Sequence, residues 1–121
     1  MSKKEPFIIN RIKSVGFAFK GALLLLKNEA SIQVQASIAV LVTIAGFYYE
    51  ISSTEWIIQL LMIAIVLSAE ALNSAIEEIA DFIHPEQHPK IGYIKDVAAG
   101  AVFFAGIVAI IIASIIYIPK L

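Results

Sequence analysis

Four polar side chains follow one face of a long apolar segment, and their spacing is the strongest chemical signal in the sequence. They lie three or four residues apart in the stretch VLSAEALNSAIEEIADFI: Glu70, Asn73, Glu77 and Asp81. At about 100° per residue in an α-helix, these side chains fall within a sector of about 80°. An ionisable residue inside a bilayer is costly, so carboxylates on an apolar helix indicate a functional site.

Depth along the helix separates these residues by environment. Counted from Trp56 at the far interface, a rise of about 1.5 Å per residue puts Glu70 about 21 Å into a hydrocarbon core about 30 Å thick. Glu70 is therefore expected within the lipid, where it is suited to act as a general base toward a weakly acidic hydroxyl. Glu77, at about 31 Å, reaches the opposite surface, where it is suited to hold a cation.

A divalent cation and phosphate groups are the ligands predicted at this polar end. Mg²⁺ is usually held in proteins by one or two carboxylates, with water and phosphate oxygens completing its shell. Glu29, at the start of the first apolar run, is a second candidate ligand beside Glu77. Lys95 and Asp96, at the start of the last apolar run, are positioned to complete a phosphate-facing site.

Structural explanations compete with these roles. Glu77 and Glu78 also fit a solvated helix end, and Asn73 also fits a hydrogen bond between packed helices. His84 and His88 lie in a proline-containing segment without the HExxH spacing of a zinc site. The chain has neither GxxxxGK(S/T) nor GxGxxG, so any nucleotide must be bound without a glycine-rich phosphate loop.

The composition is that of a membrane protein. Of the 121 residues, 60% are hydrophobic and 16% are charged, and the mean hydropathy is +0.86. About 20 apolar residues are needed for a helix to cross a bilayer, and three runs qualify: 32–50, 56–80 and 97–118. The sequence contains no cysteine, which excludes thiolate chemistry and cysteine-based metal sites.

The distribution of basic residues predicts the orientation in the membrane. Six of the nine precede the first apolar run: Lys3, Lys4, Arg11, Lys13, Lys20 and Lys27. The first connection, EISSTE, carries no lysine or arginine, whereas the predicted loop 84–96 carries Lys90 and Lys95. The positive-inside rule then puts the N-terminus and this loop in the cytoplasm.

The predicted fold is an all-α membrane protein that forms one domain over residues 1–121. Segment 7–28 alternates apolar and basic side chains at helical spacing, which is typical of an amphipathic helix on the membrane surface. Transmembrane helices are expected over the three apolar runs. Pro85 and Pro89 mark the break after the second of them.

Two other functions could use the same polar stripe. A proton or cation pathway would relay charge through Glu70, Glu77 and Asp81. Neither the first nor the third apolar run offers a second deep carboxylate to continue such a path. A purely structural subunit would leave the cost of burying Glu70 unexplained. The depth profile favours a reaction between a membrane-dissolved substrate and a water-soluble one.

The motifs that carry these residues resemble the prokaryotic diacylglycerol kinase family. They are EALNSAIE from Glu70 to Glu77 with Asp81 following, KNEAS around Glu29, PEQHP in the loop and KDVAAGAV from Lys95. The similarity covers most of the chain, from about Arg11 to the third apolar run. It implies a surface helix and three transmembrane helices per subunit, a homotrimer with composite active sites, and Mg-ATP-dependent phosphorylation of a lipid hydroxyl.

The resemblance also implies roles for individual residues. Glu70 matches the catalytic base, while Glu29 and Glu77 match ligands of Mg²⁺. Eight residues match nucleotide-binding positions: Glu29, Asn73, Glu77, Glu86, Gln87, His88, Lys95 and Asp96. Phe17 stands where some members have tyrosine, and Gln35 stands where some have an acidic residue near the substrate groove.

The same resemblance implies a substrate class and a location. The acceptor is expected to be diacylglycerol, which would give phosphatidic acid, with undecaprenol as the alternative. The expected location is the bacterial inner membrane, with ATP and a membrane lipid as partners and no nucleic acid.

Overall fold

The computed structural model describes residues 5–121 as four α-helices in sequence. They are α1 (Phe7–Asn28), α2 (Ala30–Tyr48), α3 (Ser53–Ile83) and α4 (Pro89–Tyr117), followed by a 3₁₀ turn at Ile118–Lys120. No strand occurs among these described residues. The predicted all-α fold is therefore confirmed, while the basic residues Lys3 and Lys4 lie outside the described residues.

The helices expose much of their apolar surface. Three of them are long and apolar enough to cross a membrane, namely α2, α3 and α4. No residue of α1 is buried, and its apolar side chains such as Phe7 and Phe19 are exposed. An apolar surface this extensive exceeds what a soluble monomer carries, so it matches a hydrocarbon environment.

The N-terminus of α3 is fixed by a capping box that extends the helix beyond the predicted apolar run. The Glu55 backbone N–H donates to Ser52 Oγ at 3.1 Å, and the Ser52 backbone N–H donates to Glu55 Oε1 at 3.0 Å. These bonds satisfy backbone donors that a helix start leaves without partners. The helix then continues to Ile83, so one continuous element of 31 residues carries the whole stripe from Glu70 to Asp81.

The connection between α3 and α4 is shorter than predicted. Segment 84–96 was expected to be a loop, but α4 begins at Pro89 and only residues 84–88 connect the two helices. Proline suits the first helical position because its ring sets φ and it has no N–H to satisfy. His88 caps this start, since its Nδ1 accepts a hydrogen bond from the Lys90 backbone N–H at 3.1 Å. Lys95 therefore lies on a helix rather than in a loop.

Glu29 occupies the junction between α1 and α2. Its backbone is extended, with φ −106° and ψ 113°, so it separates two helices that would otherwise be continuous. The Gln33 side-chain amide donates to the carbonyl oxygens of Leu26 at 3.0 Å and Lys27 at 3.1 Å. These bonds satisfy carbonyls at the C-terminus of α1 and hold the bend that presents Glu29.

Packing is most extensive between α3 and α4, which lie side by side along their lengths. Val66 and Ala80 of α3 are buried, as are Ala98 and Ile116 of α4. Small residues such as the two alanines let the helices approach closely, as is common in membrane proteins. The α3–α4 pair is thus the scaffold on which the polar stripe of α3 is held.

Candidate active site

Glu70 is the buried member of the stripe. Its side chain lies on α3 and the residue is only 7% exposed, and Ser74, one turn further on, is also buried. The Glu70 carboxylate forms no hydrogen bond or ion pair with any part of the chain that the structure describes. A buried carboxylate without a protein partner is costly unless a substrate, water or proton satisfies it. A carboxylate in this position is chemically able to accept a proton from a hydroxyl group.

Asn73 and Glu77 form the next part of the site. Asn73 Nδ2 donates to Glu77 Oε1 at 3.1 Å, which joins the two side chains across one helical turn. Asn73 Oδ1 is buried and has no hydrogen-bond partner within residues 5–121. An orphaned acceptor of this kind is rare in native structures and indicates a missing donor or cation. The pair therefore offers oxygen atoms of the kind that a hard cation such as Mg²⁺ prefers.

Asp81 and Lys95 connect α3 to α4 at the exposed end of the stripe. Lys95 Nζ lies 2.5 Å from Asp81 Oδ1, and both side chains are partly exposed, at 37% for the lysine and 58% for the aspartate. Glu77 adds a second attractive charge interaction with the same ammonium. The structure thus brings Lys95 to the stripe itself, although the sequence predicted it only as part of a phosphate-facing loop region.

The α3–α4 connection forms one wall of an open cavity of about 520 Å³. Three residues with predicted nucleotide contacts line it together with Lys95 and Asp81: Glu86, Gln87 and His88. The connection is ordered by its own bonds, since His84 Nδ1 lies 2.8 Å from the Glu86 carbonyl oxygen. The structure therefore brings the loop and Lys95 together. Asp96 is exposed on α4 and does not line this cavity.

Glu29 lies in a different cleft from Glu77. It lines a cleft of about 500 Å³ between α1 and α3, where Ser74 and Glu78 face it from α3. The sequence assigned Glu78 only to a solvated helix end. Its position one turn beyond Ser74 was the signal that it shares the α1 side of the helix. Within the described chain, no three histidine, aspartate or glutamate side chains are grouped as a metal site.

An apolar cavity of about 250 Å³ lies between α2, α3 and α4. Val66 and Leu67, one turn before Glu70, line it from α3, and Gly106 and Ala109 line it from α4. Gln35 lies at its border on α2. Apolar chains therefore have a space beside the helix turn that precedes the buried carboxylate.

Comparison with known proteins identifies the family to which the chain belongs. The sequence profile of the family described as prokaryotic diacylglycerol kinase matches residues 16–117. The chain belongs to this family. The predicted resemblance to this family and the predicted lipid kinase function are thus confirmed. This protein is therefore a membrane lipid kinase that transfers a phosphoryl group from ATP.

Relatives of this lipid kinase include enzymes named for two different acceptors. It is 40% identical over 121 residues to the undecaprenol kinase of Bacillus subtilis (strain 168), covering 99% of this chain and 98% of the relative. It is 31% identical over 100 residues to the diacylglycerol kinase of Escherichia coli (strain K12), covering 83% and 82% of the two chains. The Haemophilus influenzae diacylglycerol kinase is 29% identical over 102 residues, with 84% and 86% covered.

Proposed function

We propose that this lipid kinase uses Glu70 as the general base that activates the lipid hydroxyl. The observation that carries the proposal is the burial of Glu70 on a membrane-length helix, with no partner for its side chain in the described chain. In the proposed step, the lipid oxygen forms a bond to the γ-phosphorus of ATP as the bond to the β–γ bridging oxygen breaks. ADP leaves, and the hydroxyl proton passes to Glu70.

The nucleotide is proposed to bind at the exposed end of the stripe. The Lys95 ammonium and the cavity lined by Glu86, Gln87 and His88 support a phosphate and nucleotide subsite there. Asn73 fits beside it, because its buried Oδ1 is left without a donor by the described residues. Asp96 is proposed only as an outer contact, since it is exposed on the same helix as Lys95.

Mg²⁺ is proposed as the cation that accompanies ATP. The residues present fit it, because Glu77 and Asn73 offer oxygen atoms beside the phosphate subsite, and Mg²⁺ needs few protein ligands when phosphates are bound. When bound, the ion would neutralise charge on the phosphate oxygens. Glu29 is proposed as a further ligand on the family resemblance alone, because within one subunit it lies in a different cleft from Glu77.

The preferred acceptor is proposed to be undecaprenol, with diacylglycerol as the second candidate. The sequence alone favoured diacylglycerol, and the family description and the Escherichia coli relative support it. The undecaprenol kinase relative is more similar and matches almost the whole chain, which supports the polyprenol. The apolar cavity one turn from Glu70 is suited to the hydrocarbon of either lipid.

The assembly and orientation are also proposals. A homotrimer in the bacterial inner membrane, with the N-terminus and the α3–α4 connection in the cytoplasm, follows from the family resemblance and the positive-inside rule. The exposed apolar faces of α2, α3 and α4 leave room for contacts between subunits. Native mass spectrometry from detergent is expected to give particles with three copies of the chain.

A labelling experiment tests the reaction and its acceptor together. Purified protein in mixed micelles receives ATP labelled in the γ-phosphate with undecaprenol, diacylglycerol or no added lipid, each with Mg²⁺ and with a chelator. Label is expected in both lipids, with a higher kcat/KM for undecaprenol, and only when Mg²⁺ is present. A preference for diacylglycerol would contradict the proposed acceptor, and label in neither lipid would contradict the reaction.

A further inference from the structure

We propose that Asp81 is a positioning residue for the Lys95 ammonium and, through it, for the phosphates of ATP. The inference rests on the proposed function, in which Lys95 contacts phosphate. Neither the predicted site nor the family resemblance gave Asp81 a role of its own. The observation that carries the inference is the 2.5 Å separation of Lys95 Nζ and Asp81 Oδ1, an ion pair that crosses from α4 to α3.

The position of the ion pair allows it to restrict the conformation of the Lys95 side chain. Asp81 lies two residues before the end of α3, and Lys95 lies on the second turn of α4, so the pair bridges both sides of the connection 84–88. Both side chains line the same cavity as that connection. A free lysine side chain samples many rotamers in solvent. Pairing with Asp81 restricts it to the side of α4 that faces the stripe and the cavity.

Lys95 can serve the aspartate and a phosphate at the same time. An ammonium group has three N–H donors, and the bond to Asp81 uses one of them. Two donors are left for phosphate oxygens, so binding of ATP does not require the ion pair to break. An exposed pair of this kind is only weakly stabilising, which suits a contact that orients a side chain without fixing the fold.

If Asp81 had the opposite role, its removal would change KM for Mg-ATP in the opposite direction. If its carboxylate merely competed with ATP for Lys95, or repelled the phosphates, then removal of its charge would lower KM for Mg-ATP. If the carboxylate positions Lys95, the same removal raises KM. A purely structural clamp across the hairpin would instead lower thermal stability with KM unchanged. The direction of the KM change therefore distinguishes the three roles.

The test compares Asp81→Asn, Asp81→Glu, Lys95→Met and the double variant Asp81→Asn/Lys95→Met, with Glu50→Gln as the control. Glu50 is an exposed carboxylate in the connection between α2 and α3, away from the cavity. Each protein is assayed in mixed micelles for kcat, KM for Mg-ATP and melting temperature.

Asp81→Asn is expected to raise KM for Mg-ATP about fivefold, the scale of an exposed ion pair, with kcat within about twofold. Asp81→Glu is expected to recover most of this loss. Lys95→Met is expected to raise KM further, and the double variant is expected to match Lys95→Met because the aspartate acts only through the lysine. Glu50→Gln is expected to match the wild type.

Three results would overturn the inference, and one of them would also contradict the proposed contact between Lys95 and phosphate. If Lys95→Met raises KM but Asp81→Asn leaves it unchanged or lowers it, the phosphate role of Lys95 stands and the positioning role of Asp81 fails. If the double variant is clearly worse than Lys95→Met, Asp81 acts independently of the lysine. If Lys95→Met itself leaves KM unchanged, the proposed phosphate contact fails.

Discussion

The two ends of α3 carry similar polar groups, but these groups are hydrogen-bonded at one end and lack protein partners at the other. Near the N-terminus of the helix, Gln59 is buried, its Nε2 donates to the Val42 carbonyl oxygen at 3.1 Å, and its Oε1 lies 2.5 Å from the Tyr117 hydroxyl. Toward the C-terminus, Glu70 is a buried residue and Asn73 Oδ1 is a buried atom, and neither has a hydrogen-bond partner in the described chain. Satisfied polar groups indicate packing, whereas unsatisfied ones indicate a ligand.

The same contrast extends to the two lysines that pair with carboxylates of α3. Lys120 Nζ lies 3.1 Å from Glu55 Oε2 and also donates to the Ile116 carbonyl oxygen at 3.1 Å. Its carboxylate partner is part of the capping box that starts α3. Lys95, in contrast, pairs with Asp81 at the edge of an open cavity. Lys120 thus pairs with a capping residue at the start of α3, while Lys95 faces a cavity that a ligand could fill.

Apart from loss of the Glu70 carboxylate itself, the largest effect that separates the two ends is expected from Asn73→Ala. Loss of the amide should lower kcat/KM about 10- to 100-fold, the range for hydrogen bonds to charged groups. Stability should stay unchanged or rise, because the substitution removes a buried acceptor that has no partner in the described structure. Steady-state kinetics and thermal melting in the same micelles measure both. A stable fold with full activity would show that Asn73 is not part of the site.

Gln59→Ala should show the opposite pattern. The Val42 carbonyl oxygen loses its amide donor and the Tyr117 hydroxyl loses an acceptor, so stability should fall by about 1–3 kcal/mol. Turnover (kcat) per folded molecule at saturating lipid should stay within about twofold of the wild type, because Gln59 lies about three turns before Glu70. Denaturation in mixed micelles with activity assays tests this. Gln35→Ala is the matched control for stability, since Gln35 borders the same apolar cavity.

A double-mutant cycle sharpens the prediction for Gln59. Tyr117→Phe removes the hydroxyl that contacts both Gln59 Oε1 and the Val42 carbonyl oxygen. If the two side chains form one network, the stability losses of Gln59→Ala and Tyr117→Phe should not add. Additive losses would show that the two groups act independently and that this end of α3 is not one packed unit.

The smallest effect is expected from Lys120→Met. Loss of a partly exposed ion pair should change stability only slightly, and KM for Mg-ATP should not change. Lys95→Met is its counterpart at the other end of α3 and should raise that KM. Equal effects of the two substitutions on ATP binding would contradict the division of α3 into an N-terminal part that serves packing and a C-terminal part, from Glu70 to Asp81, that serves the reaction.

The sequence predicted the stripe well because one helix determines its own periodicity. Glu70, Asn73 and Glu77 share a face by spacing alone, and their order of burial follows their depth along the helix. The boundaries of α4 were less predictable. Pro89 was interpreted as a break in the chain, but the residue begins the helix, because a proline at the first helical position and a histidine cap favour a start rather than a stop.

Contacts between helices could not be predicted from spacing. Glu29 and Glu77 were paired as cation ligands, yet Glu29 shares a cleft with Glu78 and lies on the α1 side of α3. The direction in which α1 crosses α3 determines which carboxylate faces Glu29, and no local pattern encodes that direction. The Asp81–Lys95 pair was missed for a related reason, because it depends on the short connection that folds α4 back along α3.

The central claim is that the C-terminal half of α3 takes part in proton transfer through the buried Glu70, and Glu70→Gln tests it most directly. The glutamine keeps the shape of the side chain and removes the base. The variant should melt at or above the wild-type temperature and bind Mg-ATP with similar affinity, while turnover in lipid micelles falls about 10²- to 10⁴-fold. Glu50→Gln, with the same chemical change at an exposed site, should keep full turnover. Turnover of Glu70→Gln within a few-fold of the wild type would contradict the account.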